Sequence, residues 1–160
     1  MNITDIDKIA KVLDSMMQHE LALSDFYKQC ADTWKEDQAI WESLAHAELR
    51  HAENLQKMRE IIVKKQNVFE VGRPFNLLAL HTAIAGVNDN LKRVKEGAVP
   101  REKLLILARD TEQSILESHY AEIVKTTDIE YQSLMKNILL QTYDHKMIIQ
   151  KKINDIKSNP

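Results

Sequence analysis

The chain has 160 residues, of which 44% are hydrophobic and 29% charged, as in an ordinary globular domain, so we assign residues 1–160 to a single domain. The net charge is −2, there is no basic patch, and no apolar run is long enough to cross a bilayer, which argues against nucleic acid and membrane as partners. The lone cysteine, Cys30, excludes an internal disulfide, and the acidic, amphipathic start is unlike an export signal. Together these features predict a cytoplasmic protein.

Glycine and proline are scarce, which favours long helices. The first helix is predicted from near Thr4, with an apolar stripe that extends to Trp34. The second begins after Asp37, a suitable N-cap, and runs to about Gln66. The segment NVFEVGRPF then interrupts the helical pattern at Gly72 and the following proline.

The second half of the chain repeats this arrangement after a long connection. A helix from Asn76 to about Lys95 is predicted inside the connection. Pro100 suits the first turn of the third main helix, and Thr127 with Glu130 predicts a capping box at the start of the fourth. Two helical hairpins joined by a long crossover that contains an extra helix describe an all-α four-helix bundle.

Acidic and imidazole side chains interrupt the apolar stripes of all four main helices. On the second helix, Glu48 and His51 share one face because they are three residues apart. Buried groups of this kind need protonation, mutual hydrogen bonds or a cation to offset their desolvation. Carboxylate and imidazole ligands together suit iron or manganese, with zinc as a further option. We therefore predict a site for two divalent metal ions with five ligands: Glu20, Glu48, His51, Glu112 and His145.

A weak internal repeat relates the two hairpins. LAHAELRHAENL in the second helix aligns with ILLQTYDHKMII in the fourth, so that Glu48 and His51 correspond to Thr142 and His145. HELALSDFY in the first helix aligns with TEQSILESHY in the third, and each stretch supplies a single glutamate to the predicted site. The motif Glu-x-x-His is therefore intact only in the first hairpin.

Through these residues the chain resembles the ferritin-like superfamily, and within it the rubrerythrin-like branch. The stretches that carry the resemblance are Glu20 followed by FY at 26 and 27, AELRH at 47 to 51, and ARDTEQSI at 108 to 115. The superfamily surrounds a di-metal centre with one Glu on each of two helices and Glu-x-x-His on each of the other two. The resemblance implies a ferritin-like bundle that binds two iron ions.

The resemblance also implies an activity. It points to a di-iron oxidoreductase that reduces hydrogen peroxide or dioxygen with electrons from an external donor protein, or to a ferroxidase that uses the same residues. A homodimer would be in keeping with the superfamily. Tyr27 lies two turns after Glu20 on one face and would adjoin the ligands, although a core tyrosine with one hydrogen bond is the commoner case.

The chain departs from the family pattern in three ways. Thr142 stands where the family has a bridging glutamate, which predicts weaker binding of the second metal, with Gln141, Asp144 and His119 as candidate substitutes. The extra glutamate that rubrerythrins carry near the third-helix ligand is missing. No Cys-x-x-Cys pair for a rubredoxin domain is present, since the chain has one cysteine.

Thr142 supports an alternative interpretation. A degenerate bundle could have kept the fold with one structural metal or none and act as an interaction module. An unrelated helical adaptor would leave the buried acids unexplained. The histidines outside the predicted site, His19, His46 and His81, are expected at the surface or in the crossover and have no assigned role.

Overall fold

The structure is a computed structural model that describes residues 3–158, with side chains described from residue 5 onward. This part of the chain forms five α-helices and one short pair of β-strands, so the predominantly helical prediction is confirmed. In chain order the elements are α1 (Ile3–Thr33), α2 (Gln38–Lys64), β1 (Phe69–Val71), α3 (Leu77–Lys95), α4 (Arg101–Glu117), β2 (Val124–Thr126) and α5 (Ile129–Ser158).

The four main helices α1, α2, α4 and α5 pack around a common core. Helix α1 packs along α2, α4 packs along α5, and α2 contacts α5. Helix α3 belongs to the connection between α2 and α4 and lies against α1. The core between them is apolar because each helix buries one stripe, with side chains such as Leu13, Leu44, Leu105 and Ile149 almost fully enclosed.

The start of α5 differs from the predicted capping box of Thr127 and Glu130. The Asp128 carboxylate instead accepts a hydrogen bond of 2.9 Å from the backbone N–H of Tyr131. Aspartate is a strong N-cap because its short side chain reaches the free N–H three residues later. The helix therefore begins one residue later than a cap at Thr127 would place it.

The strands β1 and β2 pair antiparallel, with Phe69 opposite Thr126. Three-residue strands are too short to show the alternation that identifies a strand in sequence, so the sequence indicates only a break here. The break has a physical cause at Gly72, whose N–H donates to the Ile123 carbonyl at 3.0 Å. A Cβ at this position would overlap the carbonyl oxygen of Glu122, so the close approach requires glycine.

Asp37 precedes α2 as predicted, but its carboxylate makes no capping hydrogen bond. It is buried and accepts two hydrogen bonds from the Arg101 guanidinium, at 2.6 and 2.8 Å, while Lys152 Nζ lies 2.9 Å away. Burial alone would raise the pKa of Asp37, but the hydrogen bonds from Arg101 and Lys152 outweigh it and lower that pKa. This cluster joins the α1–α2 turn to the start of α4 and the end of α5.

Within residues 3–158, none of the helices combines the length and the apolar composition that crossing a bilayer requires.

Candidate metal centre

The five predicted ligands lie in the middle of the bundle and come from four different helices. Helix α1 supplies Glu20, α2 supplies Glu48 and His51, α4 supplies Glu112, and α5 supplies His145. All five are buried, and the most exposed of them, His145, shows only 7% of its surface. They lie deep because each occupies the apolar stripe of its helix, so that packing the stripes together brings them to one place.

The ligand atoms form two groups that share one residue. Glu20, Glu48 and His51 form one group, and Glu48, Glu112 and His145 form the other. Within each group, one nitrogen or oxygen atom from each residue lies within 4.8 Å of the other two, a separation that a single metal ion can span. Glu48 belongs to both groups, so the arrangement is that of two adjacent cation sites with a common carboxylate.

The two oxygens of Glu48 face different histidines. Oε2 lies 2.8 Å from Nδ1 of His51, and Oε1 lies 2.9 Å from Nδ1 of His145. The outer carboxylates of Glu20 and Glu112, which each belong to one group, also face a histidine. Glu20 Oε2 lies 3.7 Å from His51 Nδ1, and Glu112 Oε2 lies 3.7 Å from His145 Nδ1. The two imidazole rings stack with centroids 5.5 Å apart. The centre therefore has an approximate internal symmetry about the Glu48 carboxylate.

Several atoms of this centre are buried without a hydrogen bond of good geometry to the described residues. They are Glu20 Oε2, Glu48 Oε1, Glu112 Oε2 and His145 Nδ1. A buried polar atom that lacks a hydrogen bond costs about 1–3 kcal/mol, and more when it is charged. The carboxylate oxygens carry lone pairs that can bind a cation, and His145 Nδ1 gains one when the ring loses its proton, so the donor set fits divalent metal ions.

Neighbouring polar groups orient the ligands. The Tyr27 hydroxyl donates to Glu112 Oε1 at 2.5 Å, which leaves Oε2 of that carboxylate for the centre. The Gln141 side-chain oxygen lies 2.9 Å from Nε2 of His51 and accepts its N–H. With the proton held on Nε2, a neutral His51 ring presents its Nδ1 lone pair toward Glu48, as a metal ligand requires.

Proton binding balances the charge of the metal-free centre. Burial would lower the pKa of both imidazoles, but their contacts with the carboxylates raise the pKa of His51 to about 10 and that of His145 to about 9. Burial would raise the pKa of Glu48, yet its close contacts with the two histidines lower it. Burial, followed by repulsion from Glu48, raises the pKa of Glu20 to about 7. Metal ions would replace the imidazole protons in this balance.

Burial also keeps the hydroxyl of Tyr27, beside the centre, in its protonated form. Burial, and then the nearby carboxylates of Glu112 and Glu48, raise the pKa of Tyr27 well above its ordinary value. The hydroxyl therefore keeps its proton and remains a donor to Glu112. The Tyr27 ring stacks on buried Trp41 with centroids 5.7 Å apart, which fixes its position.

The candidate substitutes for the missing glutamate have different positions. Gln141 reaches the centre through its contact with His51. Asp144 is exposed, and His119 is exposed at the end of α4, where Glu122 accepts its Nδ1–H at 2.9 Å. Thr142 is buried, but its hydroxyl donates to the Ile138 carbonyl of its own helix at 2.9 Å. Asp144 and His119 therefore lie outside the centre.

One histidine expected near the surface is buried instead. His19 is only 3% exposed, whereas His46 and His81 are exposed as expected. Phe75, in the connection before α3, and Tyr120, just after α4, line the same pocket as His19. This arrangement was not visible in the sequence because it brings together segments far apart in the chain.

The donors define what the centre can do chemically. Three carboxylates and two imidazoles without a thiolate suit iron, manganese or zinc, and a pair of redox-active ions at such a centre can exchange two electrons with a small oxidant. No protein-family model, no curated protein and no solved structure matches this chain.

Proposed function

We propose that the chain is a ferritin-like protein of the rubrerythrin-like type that binds two iron ions and acts as an oxidoreductase. Its oxidant is hydrogen peroxide or dioxygen, and its electrons come from an external donor protein or from ferrous iron itself. The ligands are Glu20, Glu48, His51, Glu112 and His145. The observation that carries the proposal is the position of Glu48 in both ligand groups, with one carboxylate oxygen toward each histidine.

A shared carboxylate matters because it allows two like-charged ions to lie close together. The negative charge of Glu48 between them reduces their repulsion, and each ion keeps an imidazole and an outer carboxylate of its own. A single structural ion would need only one of the two groups. The duplication of the ligand set therefore supports a two-metal centre.

The bound metal pair would supply the two electrons that reduce hydrogen peroxide to water. The protein residues hold the ligands in place for this task. Tyr27 directs one oxygen of Glu112 away from the centre, and Gln141 holds the outer nitrogen of His51. The bundle core around them excludes water, which strengthens charge interactions within the centre.

Iron is favoured over softer metals by the chemistry of the donors. Oxygen and imidazole ligands suit ferrous iron, and the single cysteine, Cys30, is not in either ligand group. Manganese accepts the same donors, and zinc would bind without redox activity. The proposal includes a cytoplasmic setting, where ferrous iron and reducing donor proteins are present, and a homodimer as the assembly.

Metal analysis tests the proposal directly. The chain is purified from iron-supplemented cells, and its iron, manganese and zinc contents are measured per chain. The reduced protein is then mixed with hydrogen peroxide under anaerobic conditions, and the iron oxidation is followed by absorbance. Close to two irons per chain that peroxide rapidly oxidises would support the proposal. A content of one zinc, or of no metal, would refute it.

A degenerate bundle is the second candidate, and one observation favours it. Thr142 aligns with Glu48 in the internal repeat, where the resemblance implies a bridging glutamate, and its hydroxyl donates to the backbone of its own helix. Such a protein would bind one ion or none and act through its surface. In its metal-free form it would keep its full thermal stability after treatment with a chelator, and with one ion it would lose less stability than a two-metal protein.

A further inference from the structure

A second polar feature lies outside the metal centre. A pocket of about 280 Å³ opens between α1, the segment before α3, α3 itself and the end of α4. None of the five proposed metal ligands lines it. Its size is at the lower end of the range for ligand sites, about 300 Å³, and therefore suits a small molecule.

His19 lines this pocket from α1. It is 3% exposed, and neither Nδ1 nor Nε2 has a hydrogen-bond partner within residues 3–158. Buried side-chain nitrogens are nearly always paired, since leaving them unpaired is costly. An imidazole with both nitrogens unpaired beside a pocket therefore points to a polar group of a ligand.

Apolar and aromatic side chains form about half of the pocket wall, and polar side chains form the rest. Phe75 and Tyr120 contact each other with ring centroids 5.6 Å apart, and both line the pocket. Ile115 and Leu80 are buried beside them. These side chains favour a ligand with a compact apolar or aromatic body.

The charged groups at the pocket offset one another. Arg73 and His119 both line it, and both contact the carboxylate of Glu122, at 3.4 and 2.9 Å respectively. Glu117 adds a further carboxylate to the lining. Because Arg73 and Glu117 carry opposite charges, the lining gives no advantage to a charged ligand.

We infer that this pocket binds a small uncharged molecule that carries a hydroxyl group on an apolar or aromatic body, with the hydroxyl directed to His19. A hydroxyl group can accept a hydrogen bond from an imidazole N–H and can donate one to an imidazole nitrogen, so it suits either tautomer of the ring. This inference does not depend on the proposed metal chemistry, because no metal ligand contributes to the pocket.

Three probes of similar size test the inference: phenol, toluene and benzoate. Each is titrated into the full chain labelled with ¹³C-histidine, and the ring signals are followed by NMR. We expect phenol to bind saturably at one site per chain and to shift the His19 signals, which are assigned by their loss in His19→Leu. We expect toluene and benzoate to bind at least about tenfold more weakly, because one lacks the hydrogen bond and the other carries a charge.

Two variants locate the binding. Ala83→Phe fills the pocket from α3 without changing His19 and should weaken phenol binding by at least about tenfold. His46→Leu removes an exposed histidine of α2 and should leave phenol binding unchanged. Equal affinities for phenol and toluene, tighter binding of benzoate, or unchanged His19 signals at saturating phenol would each overturn the inference. The last result would indicate a pocket that holds only water.

Discussion

Replacing Glu48 with glutamine should remove both metal ions, whereas replacing an outer carboxylate should remove one. Glu48 belongs to both ligand groups, while Glu20 and Glu112 each belong to a single group. Glutamine preserves the shape of the side chain but has no negative charge, so it cannot bridge two cations. Metal content should therefore fall from about two ions per chain to none in Glu48→Gln, and to about one in Glu20→Gln or Glu112→Gln.

The expected change in stability follows from ligand linkage. At a free metal concentration 100 times the Kd, each bound ion adds about 2.7 kcal/mol to the free energy of unfolding. For a chain of this length, 1 kcal/mol corresponds to about 2–4 °C in Tm. Two ions should thus raise Tm by about 10–20 °C in the original chain. The rise should be about half as large in Glu20→Gln and absent in Glu48→Gln.

The assay compares each variant with and without metal. Metal content is measured by elemental analysis after dialysis, and Tm by calorimetry of the metal-free and the metal-loaded protein. The comparison within each variant matters because Glu48→Gln also removes the partner of two protonated imidazoles and should destabilise the metal-free state. Glu53→Gln changes an exposed glutamate of the same helix and should match the original chain in both measurements.

Two results would refute the reasoning. If Glu48→Gln lost only one ion, as Glu20→Gln should, the carboxylate would not be shared between two sites. If Glu48→Gln kept both ions, the metal centre would lie elsewhere in the chain.

Three further predictions concern the surroundings of the centre and the end of the bundle. Thr142→Glu should tighten binding of the second ion by about tenfold, because it adds a carboxylate in the position aligned with Glu48. Competitive metal titration measures this affinity, and an unchanged affinity would contradict the alignment of the two hairpins. Tyr27→Phe should lower the free energy of unfolding of the metal-free protein by about 1.5–3 kcal/mol in urea titrations, because the buried Glu112 carboxylate loses its hydroxyl donor. A change below about 0.5 kcal/mol would contradict this role of Tyr27. Asp37→Ala should lower the free energy of unfolding by about 3 kcal/mol at neutral pH, because Arg101 and Lys152 lose their shared buried carboxylate and, among the described residues, Arg101 keeps only Glu36. Because the pKa of Asp37 is lowered in the folded protein, its stabilising contribution is present above the unfolded pKa of about 4 and is lost as pH falls through the folded pKa. The difference in unfolding free energy between Asp37→Ala and the original chain should therefore shrink in strong acid. A difference that stayed constant with pH would count against the ion pair.

Much of the helical architecture could be predicted from the chain because helical periodicity is local. Leu44, Glu48, His51 and Leu55 repeat at intervals of four, three and four residues, and all four are buried on one face of α2. The scarcity of glycine and proline leaves these stripes uninterrupted over long segments. The same reasoning identifies the connecting helix from Asn76, whose side chain accepts from the Ala79 N–H and so caps the helix.

Features that depend on distant residues could not be predicted in this way. Asp37 resembles a helix cap in the sequence, but its carboxylate binds Arg101, which lies 64 residues away, instead of the backbone N–H groups of α2. His19 looks like a surface residue in the sequence, but it is buried beside a pocket that it shares with the segment before α3. The pairing of β1 with β2 joins segments more than fifty residues apart, and neither strand is long enough to be recognised alone.

For the candidate centre, contacts between residues of one helix could be predicted from the sequence, whereas contacts between residues of different helices could not. The sequence by itself determined that Glu48 and His51 share a face, and that the other helices carry an acid or a histidine at matching positions. Only the tertiary structure decided that the two oxygens of Glu48 face histidines of different helices, that Tyr27 donates to Glu112, and that Gln141 rather than Asp144 reaches the centre. Spacing along one helix follows from its 3.6-residue turn, whereas the alignment between helices follows from how their side chains pack.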